Sequence, residues 1–222
     1  MIKLISPMTR RDLMSKAEFD DYYVNVHTKK AAVLPGLRKY VGAICYRSVN
    51  GDDPPFDSIA ELWWDTIEAQ QSIFQESTWN QVRTDHTTFL SGRTMWLSEE
   101  HEFLNRVPNG AQPIRYVALL NRKDGMPPDE FRRYWFERNI PLALQAPGLL
   151  RYRACPSIMS VNAPDKAPFD GTVEMWFEST EAFDASFRDP FWDRLREDYY
   201  NNFALGRIQF LTREHLVFDK TV

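Results

Sequence analysis

The sequence predicts an α+β fold: two ferredoxin-like βαββαβ units in tandem, packed sheet to sheet as a barrel within one chain. Three observations predict it. The second half of the chain repeats the first, and each half reads strand, helix, strand, strand, helix, strand. The two helices of such a unit cover only one face of its sheet, and the twin unit is the simplest cover for the other.

The repeat is long and almost free of gaps. Ile2 meets Ile114, Met14 meets Met126, Glu18-Phe19 meets Glu130-Phe131, and Tyr22 meets Tyr134. At the same offset Pro35-Gly36-Leu37 falls on Pro147-Gly148-Leu149, Tyr40 on Tyr152, and Ser48-Val49-Asn50 on Ser160-Val161-Asn162. One insertion then brings Pro55-Phe56-Asp57 onto Pro168-Phe169-Asp170, and Glu61, Trp63, Trp79 and Asp85 onto Glu174, Trp176, Trp192 and Asp198. A second aligns Phe89, Arg93, Glu100 and His101 with Phe203, Arg207, Glu214 and His215. The expected division is a first unit at 1–104, a polar linker at 105–113 holding Pro108, Asn109 and Gly110, and a second unit at 114–222.

Each element has a local cause. Residues 2–8 form a short apolar strand. Ser15-x-x-Glu18 is a capping box that opens a helix, and Pro127 and Pro128 stand at the same point of the second unit, where proline costs little. Phe19, Tyr22, Tyr23 and Val26 follow at helical spacing, and Pro35-Gly36 ends the run. Residues 38–48 alternate as a strand, and Asn50, Gly51, Pro54 and Pro55 supply the turn. In the strand at 58–64, Ala60, Leu62 and Trp64 share one face, with Glu61 and Trp63 on the other. A second helix is expected from Asp65 or Thr66 to about 88, broken near Thr78, and a last strand over 93–104.

The 222 residues carry 27 Lys and Arg against 31 Asp and Glu, a net charge of −4 scattered along the chain. That balance excludes nucleic acid and anionic membrane surfaces as expected partners. No run approaches the roughly 18 apolar residues of a membrane span, and the first residues read as a strand, so a cytoplasmic location is expected. Cys45 and Cys155 lack metal or redox spacing and read as reduced, structural thiols. The four histidines show neither HxxH nor HExxH, so no metal site is expected. GxGxxG, P-loop and GxSxG motifs are also missing. Aromatic residues make up 14% of the chain, enough for a well-filled core or for a pocket walled against a flat apolar ligand.

The stretch Glu18-Phe19, Tyr22-Tyr23, His27, Pro35-Gly36-Leu37 and Tyr40, followed by Ala60-Glu61-Leu62-Trp63-Trp64-Asp65, Asp85 and Phe89, resembles the EthD family of the dimeric α+β barrel superfamily, here as a tandem member. That family includes a muconolactone methylisomerase, fungal polyketide decarboxylases and dehydratases, and an ether-degradation accessory protein; related barrels include cofactor-free monooxygenases and others that bind haem. The resemblance implies a pocket between helices and sheet in each unit, reached by the helix histidine. Tyr23, His27 and Tyr40 match the helix Tyr, the helix His and the strand Tyr that line the pocket of the methylisomerase. Phe19, Tyr46, Trp64 and Trp79 are the aromatic residues expected to wall it and hold substrate.

An imidazole titrates near pH 6.5, so His27 in a dry pocket is suited to take and return a proton, while tyrosine phenols stay protonated and donate to a carbonyl or an enolate. The plainer reading of His27 is a helix end beside Lys29 and Lys30. In the second unit Asn139 replaces His27, Trp135 replaces Tyr23 and Arg138 replaces Val26, so that pocket lacks the base; Arg133, Arg138 and Arg151 there offer an anion site or a solvated face. His101 and His215, kept in both units, read as structural, and His86, opposite Tyr199, as helix surface. Glu61 and Glu174 are expected to pair with a barrel-interior cation such as Arg93 or Arg207, the alternative being use as a general base.

Two functions follow as expectations. The first is an enzyme without a cofactor, a lyase or isomerase, that rearranges, dehydrates or decarboxylates a small aromatic, polyketide-like or lactone carbonyl compound in aromatic catabolism, with His27, Tyr23 and Tyr40 as its catalytic residues. The second is a non-catalytic accessory protein that binds a hydrophobic ligand or haem. The partner in either case is a small hydrophobic or aromatic molecule, and the fused chain leaves pairing into a homodimer open.

Overall fold

Alternation along β1 (Ile2–Arg10) and β3 (Ser58–Trp64) organises the first unit. The computed structural model of the chain describes residues 1–161 and 167–221; Asn162 of the repeat lies outside the described residues. The two strands run antiparallel with Lys3 opposite Trp63 and Leu4 opposite Leu62, so Leu4, Ala60, Leu62 and Trp64 face the helices while Glu61 and Trp63 point the other way.

The first helix begins as its sequence requires. Ser15 accepts from the Glu18 N–H, and the Glu18 carboxylate accepts from the Ser15 N–H at 2.8 Å, which opens α1 (Lys16–Tyr22). A π turn at Tyr23–His27 and α2 (Thr28–Ala31) continue it. Gly36, at φ +68°, then turns the chain through a conformation that side chains disfavour, beside the Trp64 ring, and into β2 (Lys39–Ser48). After β3 the second helical region is split. Thr66 caps α3 (Ile67–Ser72); a 3₁₀ turn at Ile73–Gln75 and an extended Glu76 precede α4 (Ser77–Phe89), so the break falls just before the expected Thr78.

The strand expected over 93–104 is three short ones: β4 (Leu90–Arg93), β5 (Trp96–Ser98) and β6 (His101–Asn105). β1 holds β4 and then β5, with a register shift at Thr9 and Arg10, whereas β6 pairs with β8 (Arg151–Ser160). The second unit repeats the order with β7 (Ile114–Arg122), α5 (Pro128–Tyr134), a π turn at Trp135–Asn139, α6 (Ile140–Ala143), β8, β9 (Gly171–Phe177), α7 (Thr180–Phe187), α8 (Phe191–Asn202) and β10 (Ala204–Asp219).

Each unit has the ferredoxin-like antiparallel order. The first runs β4 and β5, β1, β3, β2; the second runs β10, β7, β9, β8, with β6 beside β8. Compactness divides the chain differently from the repeat. One unit holds Met1–Glu99 with Ile158–Pro168 and Thr212–Val222, and the other holds Glu100–Ser157 and Phe169–Leu211. Among the described residues no helix is long and apolar enough to cross a membrane.

On the sheet face away from the helices each unit buries an ion pair. Lys3 Nζ lies 2.6 Å from Glu61 and 5.0 Å from the Trp63 ring centre. In the second unit Arg115 lies 3.5 Å from Glu174, with the Trp176 ring 5.7 Å away. This corrects the expected pairing of Glu61 with Arg93 and of Glu174 with Arg207. Lys3 and Glu61 sit diagonally across neighbouring strands on one face, while Arg93 and Arg207 line cavities on the helix side. Removing Glu61 takes a close counter-charge from the buried Lys3, so Glu61→Leu is expected to lower unfolding stability in denaturant titration, by about 3–5 kcal/mol at most, and Lys3→Met combined with Glu61→Leu to restore part of it. Equal stability of the single and double variants would show that the pair is not what stabilises this face.

Candidate functional site

Between the helices and the sheet of the first unit lies a small cavity of about 30 Å³. His27, at the end of the π turn, reaches it; the wider turn is closed by the Thr28 N–H donating to the Tyr23 carbonyl, and such turns recur at functional sites. The ring of His27 is 2% exposed and packs between Tyr23 at 5.9 Å, His86 at 4.8 Å and Phe89 at 4.7 Å between ring centres.

Asp85, on α4, fixes that ring. His27 Nδ1 lies 2.8 Å from Asp85 Oδ2, the Tyr22 hydroxyl donates to Asp85 Oδ1 at 2.6 Å, and the Lys30 ammonium donates to the same oxygen. Burial pushes the Asp85 carboxyl up, but hydrogen bonds from Lys30, Tyr22 and His27 outweigh it and hold the group below the usual carboxylate value. Burial likewise pushes His27 down, against the opposing pull of Asp85. At neutral pH the ring is therefore uncharged, with its proton on Nδ1 toward the carboxylate and Nε2 as the basic nitrogen.

Of the residues expected from sequence, His27, Tyr40, Trp64 and Trp79 line the cavity. Burial pushes the hydroxyls of Tyr23 and Tyr40 well up, so both stay protonated. Tyr23 stacks behind His27, and Phe19 stacks on Tyr23 with ring centres 5.9 Å apart; neither lines the cavity. A Cβ at residue 42 would stand 3.1 Å from the Tyr23 hydroxyl, so glycine there makes room for the phenol. Tyr46 lies apart, in a groove with Arg10, Asp12 and Leu13, its ring 4.2 Å from the Arg213 guanidinium.

Sequence reasoning missed three members of the site. Asp85 was visible as a residue kept in both repeats, but its partners were not. His86 is not helix surface: it is 9% exposed and lines the cavity, because it sits one position along α4 from Asp85 and turns inward. Arg93 lines it from β4, its guanidinium 5.4 Å from the Trp79 ring centre.

The second unit has the same frame with different chemistry. Tyr134 donates to Asp198 Oδ1 at 2.6 Å, and the Asn139 amide donates to Asp198 Oδ2 at 2.8 Å, where His27 stands in the first unit. Tyr116, Asn139, Tyr152, Trp192, Tyr199 and Arg207 are among the residues lining a cavity of about 30 Å³. The Trp135 ring fits because residue 171 is glycine; a Cβ there would stand 2.5 Å from it. Arg133 and Arg138 are exposed and Arg151 is bonded to Glu102, so these three build no anion site. His101 packs edge-on against Phe136 on β6, and His215 is exposed on β10. Among the described residues one group, Glu100, Cys155 and Glu174, has the spacing of a metal site, and Arg153 and Arg115 lie beside its carboxylates.

The EthD domain family matches residues 11–93 and 123–206. No curated protein matches the chain in sequence. Among solved structures, an anthrone oxidase-like protein superposes with a TM-score of 0.70 at 9% identity, covering 99% of this chain and 94% of its own. A mutant chlorite dismutase from Candidatus Nitrospira defluvii gives 0.53 at 12% identity over 96% and 90%. An EthD family protein from Bacillus halodurans gives 0.41 at 25% identity over 46% and 99%. These neighbours correct the expectation that no cofactor is needed, because chlorite dismutases are haem-binding proteins and share this fold. The residues here do not fit that group as they stand, since about 30 Å³ beside His27 is far below the size of a porphyrin. With the family matched in both repeats, and with two antiparallel βαββαβ units of the dimeric α+β barrel type, the chain belongs to the EthD family and carries two EthD domains.

Proposed function

We propose that the first unit is an acid–base active site for a small aromatic, polyketide-like or lactone carbonyl compound, and that the second unit is its scaffold. The observation that carries this is the pairing of His27 with Asp85 at the wall of a small, largely apolar cavity. In this reading His27 Nε2 removes a proton from carbon next to the substrate carbonyl, the Tyr40 hydroxyl donates to the oxygen as charge develops on it, and the Asp85 carboxylate steadies the imidazolium until the proton returns. Isomerisation and dehydration fit such a step; in a decarboxylation the C–C bond breaks with loss of CO₂, the electron pair stays as an enolate held by Tyr40, and a protonated His27 returns the proton to carbon. Tyr23 positions the ring by stacking and is not in contact with substrate.

The cavity holds about 30 Å³, room for one or two waters, so substrate enters only when the wall opens. Of the lining residues, only Trp79 and Arg93 are partly exposed, and they form the entrance. Trp79 stands in the first turn of α4, next to the extended Glu76 that separates this helix from the 3₁₀ turn, and Asp85 stands near its far end.

A second reading, a non-catalytic ligand-binding or accessory protein, draws on one observation. Asn139 makes the same bond to Asp198 that His27 makes to Asp85, so this contact also serves a unit that lacks a base. Deuterium uptake from D₂O next to the carbonyl of small lactones and aryl ketones separates the two. The wild-type chain is expected to accelerate exchange in at least one compound, and His27→Gln to slow it by about 10² to 10⁴. If His27→Gln exchanges as fast as wild type, the acid–base role is wrong; if the wild type accelerates none of them, the accessory reading stands.

The pH dependence has a definite sign. Burial lowers His27, so the rate is expected to rise with pH through a midpoint below 6.5 and to stay level above it; Asp85→Asn should move that midpoint lower still, because the carboxylate no longer favours the charged ring. Stability follows the same direction. Burial, with the Arg93 and His27 charges adding, pushes His86 down to about 2, so the unfolded chain binds this proton first. Its contribution is whole above pH 6.5 and falls by about 1.4 kcal/mol per pH unit below that value, toward pH 2. Denaturant titrations at pH 7 and pH 5 should show His86→Phe losing less stability on acidification than wild type.

A further inference from the structure

Two polar groups of the same cavity have no task in the proton transfer described above. Arg93 places its guanidinium over the Trp79 ring and its Nη1 3.2 Å from the Met95 sulfur, and among the described residues no carboxylate pairs with it. The carboxylate that faces this region from α4, Asp85, is already held by Tyr22, His27 and Lys30, and the charge that bears on Arg93 is that of Arg83, which repels it. Removal from water pushes Arg93 down to about 10. His86, 9% exposed, has an Nδ1 with no hydrogen-bond partner among the described residues. A half-buried cation without a counter-ion and a buried imidazole nitrogen without a partner are each costly, and both line one cavity.

The second unit repeats the arginine. Arg207 stands at the matching position and lines the corresponding cavity 4.9 Å from the Tyr199 ring centre; its Nε is buried without a partner, and no carboxylate pairs with it among the described residues. A merely solvated side chain would have no reason to keep that place in both repeats. An arginine that meets an anion from solution would.

We propose that the first cavity takes an organic anion, a small planar carboxylate or enolate, whose charged oxygen pairs with the Arg93 guanidinium and whose second oxygen is hydrogen-bonded by His86. The assignment rests on the His27 cavity being the ligand site, and it narrows the substrate to compounds that are acidic before any proton moves. Arg93 then has two roles from one position: it stands at the entrance beside Trp79, and it supplies the positive charge toward which the reacting oxygen is drawn. The guanidinium gives that oxygen a charge-assisted hydrogen bond, which the neutral oxygen of an amide accepts more weakly.

Benzoate and benzamide are probes of one shape that differ in charge. Titration calorimetry on the full chain is expected to show benzoate binding about 10-fold or more tightly than benzamide, the worth of one charge-assisted bond. Arg93→Met should abolish the preference and Arg93→Lys should keep part of it. His27→Gln should leave the preference in place even if it stops proton exchange, so failure of the acid–base reading and failure of this one give different results. Should Arg93→Met not fold, ring ¹H–¹⁵N spectra of the wild-type histidines decide: benzoate and not benzamide is expected to shift the His86 resonances. Equal affinities, no binding of either probe, a preference that survives Arg93→Met, or His86 signals indifferent to benzoate would each overturn the proposal.

Discussion

In each unit a carboxylate between the two helices, buried at Asp85 and half-buried at Asp198, governs the arrangement of what surrounds it. Asp85 and Asp198 stand on the second long helix of their units and draw hydrogen bonds from the first, through Tyr22 and His27 in one unit and through Tyr134 and Asn139 in the other. An ionised carboxylate taken from water needs such donors to persist. The demand fixes the first helix against the second and explains the residue types at position 27 and its twin: each must present an N–H at that point. Histidine and asparagine both satisfy the carboxylate. Only histidine keeps a second nitrogen that can accept a proton.

The π turn that ends at this residue serves the same end. Tyr23–His27 and Trp135–Asn139 each widen the helix by one residue, and the donor at the last position is carried to the helix α4 or α8 without breaking the run. Both units bear the turn, so it belongs to the fold and not to catalysis. The basic nitrogen of the first unit enters afterwards, through the choice of histidine within a frame that both units share.

Much of this frame was legible in the sequence, for physical reasons. Comparison of the chain with itself exposed the duplication; capping at Ser15, proline at 127 and 128 and the turn at Gly36 fixed the helix ends, because these signals act over a few residues. What the sequence concealed depends on distance and direction in space. His86 sits among Arg83, Thr84, Asp85 and Thr87, a polar run that reads as solvated, yet the inward turn of α4 buries it against His27. Tyr46 shares a strand face with Tyr40, but six residues of extended chain carry it roughly 20 Å along β2, beyond the cavity. Glu61 was expected to reach for Arg93, and register gave it Lys3 instead, because strand pairing decides which charges share a face.

Both cavities are small, about 30 Å³ each, and the units differ in the chemistry of their linings. The first offers an imidazole at residue 27, a second imidazole at 86 and an arginine at 93; the second offers an amide at 139, a phenol at 199 and an arginine at 207. Burial raises the Tyr199 phenol, so it remains a neutral donor and not a base. What persists in both is therefore the positive charge at the cavity wall, and what varies is the group able to move a proton. Duplication permits this separation: an arginine lines the cavity of both units, while an imidazole able to take up a proton lines only the first.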